Sequence, residues 1–353
     1  MEAEILASLR EVREPNLNRD VVSLKMVVQA EIDGDIARVT LELPYTDKAT
    51  RDELLEETNR TLSESGFQPR VRLRPRDTSE WDEPGKKTTI RHVVLIVSGK
   101  GGVGKSTVST NLALALKSQG MSVGLLDADI YGPSIPTMMG VLETPRITDD
   151  QKLIPLKAHG ISLMSSGFLI EEEKALVWRG PMIHKIVTQF MQDVAWGELD
   201  VLLVDLPPGT GDVQLSLSQS IPVRGAVLVS TPQQVAIADV VRAKSMLDTL
   251  SIPILGIVEN MSGFLNPATG EMIPVFSEGG GERLSHKFGT ELLGKIPLDP
   301  QVCTHGDSGI PIVTGEPESP GAQAFQAAAR ALSRQLDLFE EQKLSSKVIK
   351  AGR

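Results

Sequence analysis

From residue 91 onward the chain repeats one grammar: an apolar run, a short polar loop, then a helical stretch. The segments "HVVLIVS", "SVGLLDAD", "VLLVDLPP", "GAVLVST" and "PILGIVEN" are nearly uninterrupted in apolar residues. Such runs mark strands buried on both faces, as in a parallel sheet covered by helices on each side. Between the first two, residues 105–119 set Val108, Leu112, Ala115 and Leu116 on one helical face. The pattern predicts a doubly wound α/β domain with a mostly parallel sheet over residues 91–335.

The first 78 residues follow a different pattern. Ile5, Leu6, Leu9 and Val12 fall on one face of a short helix, and "EPNLNRD" reads as a turn. "SLKMVVQAEI" and "IARVTLEL" read as strands around the hairpin pair Asp33-Gly34, residues 48–65 as a helix, and "RVRLRPR" as a closing strand. A small α/β domain over residues 1–78 is expected, joined by a polar linker over 79–90 that contains Pro84-Gly85. At the other end Phe325, Ala329, Leu332, Leu336 and Phe339 form a helical stripe, with residues 336–353 as the helix end and tail. Asp337, Glu340 and Glu341 occupy its polar face, where membrane-bound helices favour Lys and Arg, so this helix is expected to dock on the domain.

Composition narrows the functional classes. The 353 residues carry a net charge of −10, which argues against a dedicated nucleic-acid surface. No apolar run approaches the roughly 20 residues that span a bilayer, and the start "MEAEILASLREVREP" lacks a signal-peptide pattern, so a cytoplasmic protein with no membrane partner is expected. A single cysteine, Cys303, excludes a site built from several cysteines of one chain.

The chemistry concentrates in "VSGKGGVGKST", residues 97–107. Gly99 to Ser106 satisfy G-x-x-x-x-G-K-[ST], directly after a predicted strand and before a predicted helix. Glycines let backbone N–H groups turn inward around a phosphate, at a helix N-terminus whose dipole already favours negative charge. The segment Gly99, Lys100, Gly101, Gly102, Val103, Gly104, Lys105, Ser106 and Thr107 is therefore the expected ATP-binding loop. Lys105 is expected on the β- and γ-phosphates and the Ser106 hydroxyl on Mg²⁺. Asp205, at the end of "VLLVD", supplies the carboxylate that such a metal needs, and Asp127 and Asp129 end a second strand expected nearby.

The order "GKGGVGKST", "DADIYGPSIPTMMG", "WRGPM", "VDLPPGTGD", "VENMSGF" and "DSGIPIV" resembles the Mrp/ApbC family, within the deviant-Walker ATPases that include MinD and the nitrogenase iron protein. The N-terminal unit resembles the MIP18-like (DUF59) domain that often precedes this ATPase. The resemblance implies Mg-dependent ATP hydrolysis in a face-to-face homodimer. Lys100 then reaches across to the partner's nucleotide, Asp129 orients the attacking water, and Asn260 hydrogen-bonds the adenine. It also implies a role in iron–sulfur cluster assembly or transfer, with client apoproteins or cluster-assembly proteins as partners.

The family's Cys-Pro-x-Cys pair is missing, because its two cysteine positions read Asn266 and Thr269. Neither an amide nor a hydroxyl replaces a thiolate on iron. The appended domain departs too, with Glu14-Pro15-Asn16 in its first turn and Thr46 at a cysteine position. Cys303 and His305 in "QVCTHGDSG" read as loop residues, able to form a four-ligand set only across two chains. Arg70, Arg72, Arg74 and Arg76 alternate along one strand face, and Arg179 belongs to a family motif without an evident chemical role. Two functions stay open: an ATP-hydrolysing cluster carrier, and a metal-free ATP-gated dimeric switch that recruits a client through its N-terminal domain.

Overall fold

The computed structural model describes residues 2–14, 19–24, 26–43, 48–75, 88–130, 132–141, 143–148, 150–169, 188–209, 223–266, 269 and 271–351. The chain divides into two compact units, residues 1–83 with 140–144, and residues 84–139 with 145–353.

The first unit opens with α1 (Glu2–Leu9) and a two-stranded ribbon, β1 (Arg13–Glu14) and β2 (Arg19–Asp20). It continues with β3 (Val27–Asp33), β4 (Ile36–Leu43), α2 (Lys48–Glu64) and β5 (Gln68–Pro75). The ribbon replaces the simple turn expected over 14–20, because Arg13 and Glu14 pair with Asp20 and Arg19. Strands β3, β4 and β5 form a sheet in that order, antiparallel then parallel. Ile5, Leu9, Val12, Val39, Leu41, Leu54 and Leu62 are buried in one core. Arg70, Arg72 and Arg74 are exposed along β5, with Arg74 3.1 Å from Glu42, while Arg76 lies outside the described residues.

The second unit is built on β6 (Thr89–Ser98), α3 (Lys105–Ser118), β7 (Val123–Asp127), α4 (Ile135–Met139), β8 (Leu156–Ala158), β9 (Ile161–Ser165), β10 (Glu198–Asp205) and β11 (Val223–Ser230). There follow α5 (Gln234–Thr249), β12 (Ile254–Leu265), β13 (Met272–Ile273), α6 (Gly280–Phe288), β14 (Leu292–Leu298), α7 (Pro300–Asp307), α8 (Ile312–Gly315) and α9 (Pro320–Ala351). One sheet runs β13-β12-β11-β6-β10-β7-β9-β8, with β14 beside β12. Its pairs are parallel except at β13 and β8. This is the doubly wound arrangement that the apolar runs predict.

Three local expectations change. Strand β6 begins at Thr89, paired with Glu198, so the last residues of the expected linker belong to the sheet. β-branched Thr89 and Ile90 suit a strand better than a linker. Helix α3 is buried without a break from Val108 to Leu116, not along a single stripe. Its small residues, Ser109, Thr110, Ala113 and Ala115, let neighbours approach on every side. Cys303 lies in helix α7, not in a loop: Pro300 opens the helix and the Asp299 carboxylate accepts from the Gln301 N–H. The α9 stripe is buried at Phe325, Ala329, Leu332 and Leu336, and Phe339 lies beneath the Arg224 guanidinium.

Candidate functional site

The glycine loop joins the end of β6 to the start of α3. Gly104 caps the helix with φ +78°, a left-handed conformation that side chains disfavour, and a Cβ there would lie 2.2 Å from the Asn260 amide nitrogen. No side chain caps α3, so its first N–H groups have no side-chain acceptor. Gly99 is required by close approach, since a Cβ on it would lie 2.2 Å from the Asp239 backbone. Lys100, Gly101, Gly102, Gly104, Lys105, Ser106, Thr107 and Asp129 line one cavity, with Ser98, Ser134, Met138 and Pro208 completing its wall. Ser98, Ser134 and Met138 were not singled out in the sequence, whereas Pro208 belongs to the loop after Asp205 that the sequence marks as a candidate γ-phosphate switch. Gly99 and Val103 shape the loop without lining the cavity.

Beneath the loop, β10 ends in Asp205, which is fully buried. Three donors converge on its carboxylate: Lys105 Nζ and Ser106 Oγ at 2.7 Å from Oδ2, and Ser109 Oγ at 2.5 Å from Oδ1. Desolvating a carboxylate costs several kcal/mol unless its lone pairs are met, and here a cation and two hydroxyls meet them. Ser109 was not anticipated, although its position four residues after Lys105 puts it on the same helical face, where its hydroxyl also lies 3.1 Å from the Lys105 carbonyl.

Parallel pairing of β10 with β7 sets Asp127 directly beside Asp205. Asp127 is also fully buried and accepts from the Asp129 N–H at 3.1 Å and the Ser165 hydroxyl at 3.0 Å. Burial, reinforced by the Asp205 charge, pushes its carboxyl up to about 8. Asp129, two residues on, reaches the cavity wall. Asn260, at the end of the apolar run in β12, is turned toward the loop: its amide donates to the Val103 carbonyl at 2.9 Å. In this arrangement it supports the backbone of the glycine loop and does not line the cavity. Lys100 is half-buried on the cavity wall, and among the described residues its ammonium has no protein partner.

The model of the NUBPL iron-transfer P-loop NTPase family matches residues 89–333. The chain belongs to this family. A second model, that of an iron–sulfur cluster assembly protein, matches residues 2–65. The iron–sulfur cluster carrier protein of Deinococcus radiodurans is 45% identical, over 96% of each chain. Among solved structures, a nucleotide-binding protein from Archaeoglobus fulgidus in complex with ADP is 40% identical with a TM-score of 0.58, covering 67% of this chain and 92% of that one. The septum site-determining protein MinD from Pyrococcus horikoshii, complexed with Mg-ADP, is 25% identical with a TM-score of 0.55, covering 71% and 99%. The resemblance read from the motifs is therefore correct for both parts of the chain, and ATPase chemistry is that of the family.

The two positions where the motif resemblance placed a cysteine pair are Asn266 and Thr269. Asn266 is half-buried at the end of β12, its N–H bonded to the Glu271 carbonyl, and Thr269 is an exposed turn residue whose hydroxyl accepts from the Glu271 N–H. Cys303 is exposed, 3.7 Å from the Asp307 carboxylate. His305, two residues on, faces away to other partners: the Ile310 carbonyl at 2.9 Å and Glu316 at 3.3 Å. Among the described residues no three His, Cys, Asp or Glu side chains gather as a metal site. Arg179, Thr46 and the segment 210–222 lie outside the described residues.

The raised carboxyl of Asp127 carries a stability signature. Its folded value exceeds the ordinary 3.8, so between about 4 and 8 the native state holds a proton that the unfolded chain has lost. Without nucleotide or magnesium, wild-type stability should fall as pH rises through that window, and Asp127→Asn should lose much of the fall. Urea unfolding at pH 5 and pH 8 checks this; parallel losses in both proteins would show that Asp127 is ionised in the fold.

Proposed function

We propose that this protein hydrolyses Mg-ATP at the glycine loop and couples that cycle to iron–sulfur cluster transfer between proteins. The observation that carries the ATPase half is the convergence of Lys105, Ser106 and Asp205 under an uncapped helix N-terminus. The donor set suits Mg²⁺: a hydroxyl and carboxylates are hard oxygen ligands, and Ser106 with Asp205, and Asp127 behind them, would hold the ion or its waters. Bound Mg²⁺ would neutralise charge on the transferring phosphoryl group. The backbone N–H groups of Gly101 to Lys105 would bind the β-phosphate, Lys105 the β- and γ-phosphates, and Asp129 would orient the attacking water. Asn260 would hold the loop through Val103, with adenine contact as a second role.

Lys100 is the residue through which this reading requires a homodimer. It has no described partner within its own chain, and a cation delivered from a facing subunit would stabilise charge as an arginine finger does. Lys105→Ala should lose nucleotide binding. Lys100→Ala should retain it while hydrolysis falls at least 100-fold, because only the transition state needs the second cation. Steady-state turnover together with calorimetric binding checks the pair, and a Lys100→Ala protein turning over at the wild-type rate would contradict the trans role.

The carrier half rests on family membership and on the names of the relatives. A cluster needs about four ligands, mostly thiolates, and one cysteine per chain provides two in a dimer. The residues present do not fit a cluster held by this chain alone, so cargo ligands would have to come in part from a small thiol or a cysteine-bearing partner. The cysteine count gives the second reading its support: an ATP-gated dimer that recruits client apoproteins or cluster-assembly proteins without binding metal itself. Anaerobic reconstitution with iron and sulfide should leave the purified protein without a stoichiometric cluster. With glutathione or a thiol-bearing partner added, cluster binding that Cys303→Ser abolishes supports the carrier, and its absence supports the switch. A full cluster per dimer, indifferent to Cys303→Ser, would contradict both.

A further inference from the structure

Of the three donors on Asp205, two also line the nucleotide cavity and one does not. Lys105 and Ser106 reach the cavity wall, and both bind Oδ2. Ser109 is fully buried behind them and binds the other oxygen, Oδ1. A P-loop lysine and its following hydroxyl are the two groups that phosphate and metal draw to themselves. Occupation of the cavity therefore competes for the Oδ2 partners and leaves the Oδ1 partner alone.

We propose that Ser109 is the positioning residue of this ATPase: it keeps the Asp205 carboxylate aimed at the cavity after Lys105 and Ser106 have moved to the nucleotide. This rests on the P-loop reading given above. Asp205 needs such a holder because it stays buried beside Asp127, in register on the neighbouring strand. A buried carboxylate deprived of every protein donor would turn toward another donor and lose its aim. Ser109 holds it at low entropic cost. The side chain has one heavy-atom rotor, and it is fixed inside a helix segment that is buried from Val108 to Leu116. Its hydroxyl has a competing acceptor, the Lys105 carbonyl at 3.1 Å, but Asp205 Oδ1 is nearer at 2.5 Å. Bonding to Asp205 draws the carboxylate onto α3, the helix that also carries Lys105 and Ser106. Loop and metal ligand are then fixed to one rigid element.

The test separates magnesium from nucleotide. Fluorescent ADP binding to the full chain is titrated in EDTA and again across a Mg²⁺ series, for wild type, Ser109→Ala and Ser109→Thr, with thermal unfolding of each nucleotide-free protein. In Ser109→Ala the Mg²⁺ concentration giving half of the magnesium-dependent binding should rise about tenfold, whereas affinity in EDTA should shift by about twofold or less. Ser109→Thr, which keeps the hydroxyl, should restore the magnesium response. An unchanged Mg²⁺ midpoint in Ser109→Ala overturns the proposal, as does an equal loss in EDTA and in magnesium, which would make the hydroxyl a packing group of the loop. If the threonine methyl proves too large for the buried site, the split in Ser109→Ala decides alone. A wild-type protein whose nucleotide binding ignores magnesium would instead overturn the P-loop reading itself.

Discussion

The site is organised around one buried carboxylate. Asp205 has no access to water, and a charge so placed persists only where the fold brings donors to it. That requirement ties together β10, which ends in the residue, and α3, which supplies all three donors. It also ties in the glycine loop, whose turn sets the first residue of α3 above the end of the sheet. Lys105 and Ser106 satisfy Asp205 and are held by it, so a cation and a hydroxyl are kept ordered at the start of α3.

The surroundings add two constraints. Asp127, beside Asp205 through parallel pairing, is pushed toward its neutral form, so two carboxylates share one dry pocket without two full charges. Asn260 holds the Val103 carbonyl from the opposite side and belongs to β12. That strand continues to Leu265, one residue short of Asn266, where the family pattern places its first cysteine. A single strand therefore runs from the residue that holds the glycine loop to Leu265, next to Asn266.

Much of this was legible in the sequence, for physical reasons. The five apolar runs have no amphipathic alternative to a two-sided strand, and the glycine-rich loop has few uses beside phosphate. Both Asp205 and Asp127 fall at the ends of such runs, where side chains emerge from the sheet. Other features were obscured by short-range ambiguity. Strands β8, β9 and β14 are short or mixed in polarity, and only their partners in the sheet decide them. The Asp299-Pro300 pair that starts the helix of Cys303 lies just before the stretch read as a loop, and its capping role shows only in the structure. The adenine role of Asn260 comes from the family resemblance and not from its place in the run, which says where it lies and not which way it turns; the missing side chain at Gly104 leaves room for its amide to reach the Val103 carbonyl. Ser109 was visible only as a small residue in a helix, since nothing in a single sequence says that position four after the lysine faces the same carboxylate.

Family membership and residue chemistry agree on the ATPase and part ways on the cargo, and the ATPase reading turns on Asp205 and its three donors. A crystal structure of the protein with Mg²⁺ and a non-hydrolysable ATP analogue measures that arrangement directly. Lys105 Nζ should leave Asp205 for the β- and γ-phosphates while Ser109 stays within hydrogen-bond distance of Oδ1. A bound nucleotide with Lys105 still paired to Asp205, or an Asp205 carboxylate rotated away from Ser109, would contradict it.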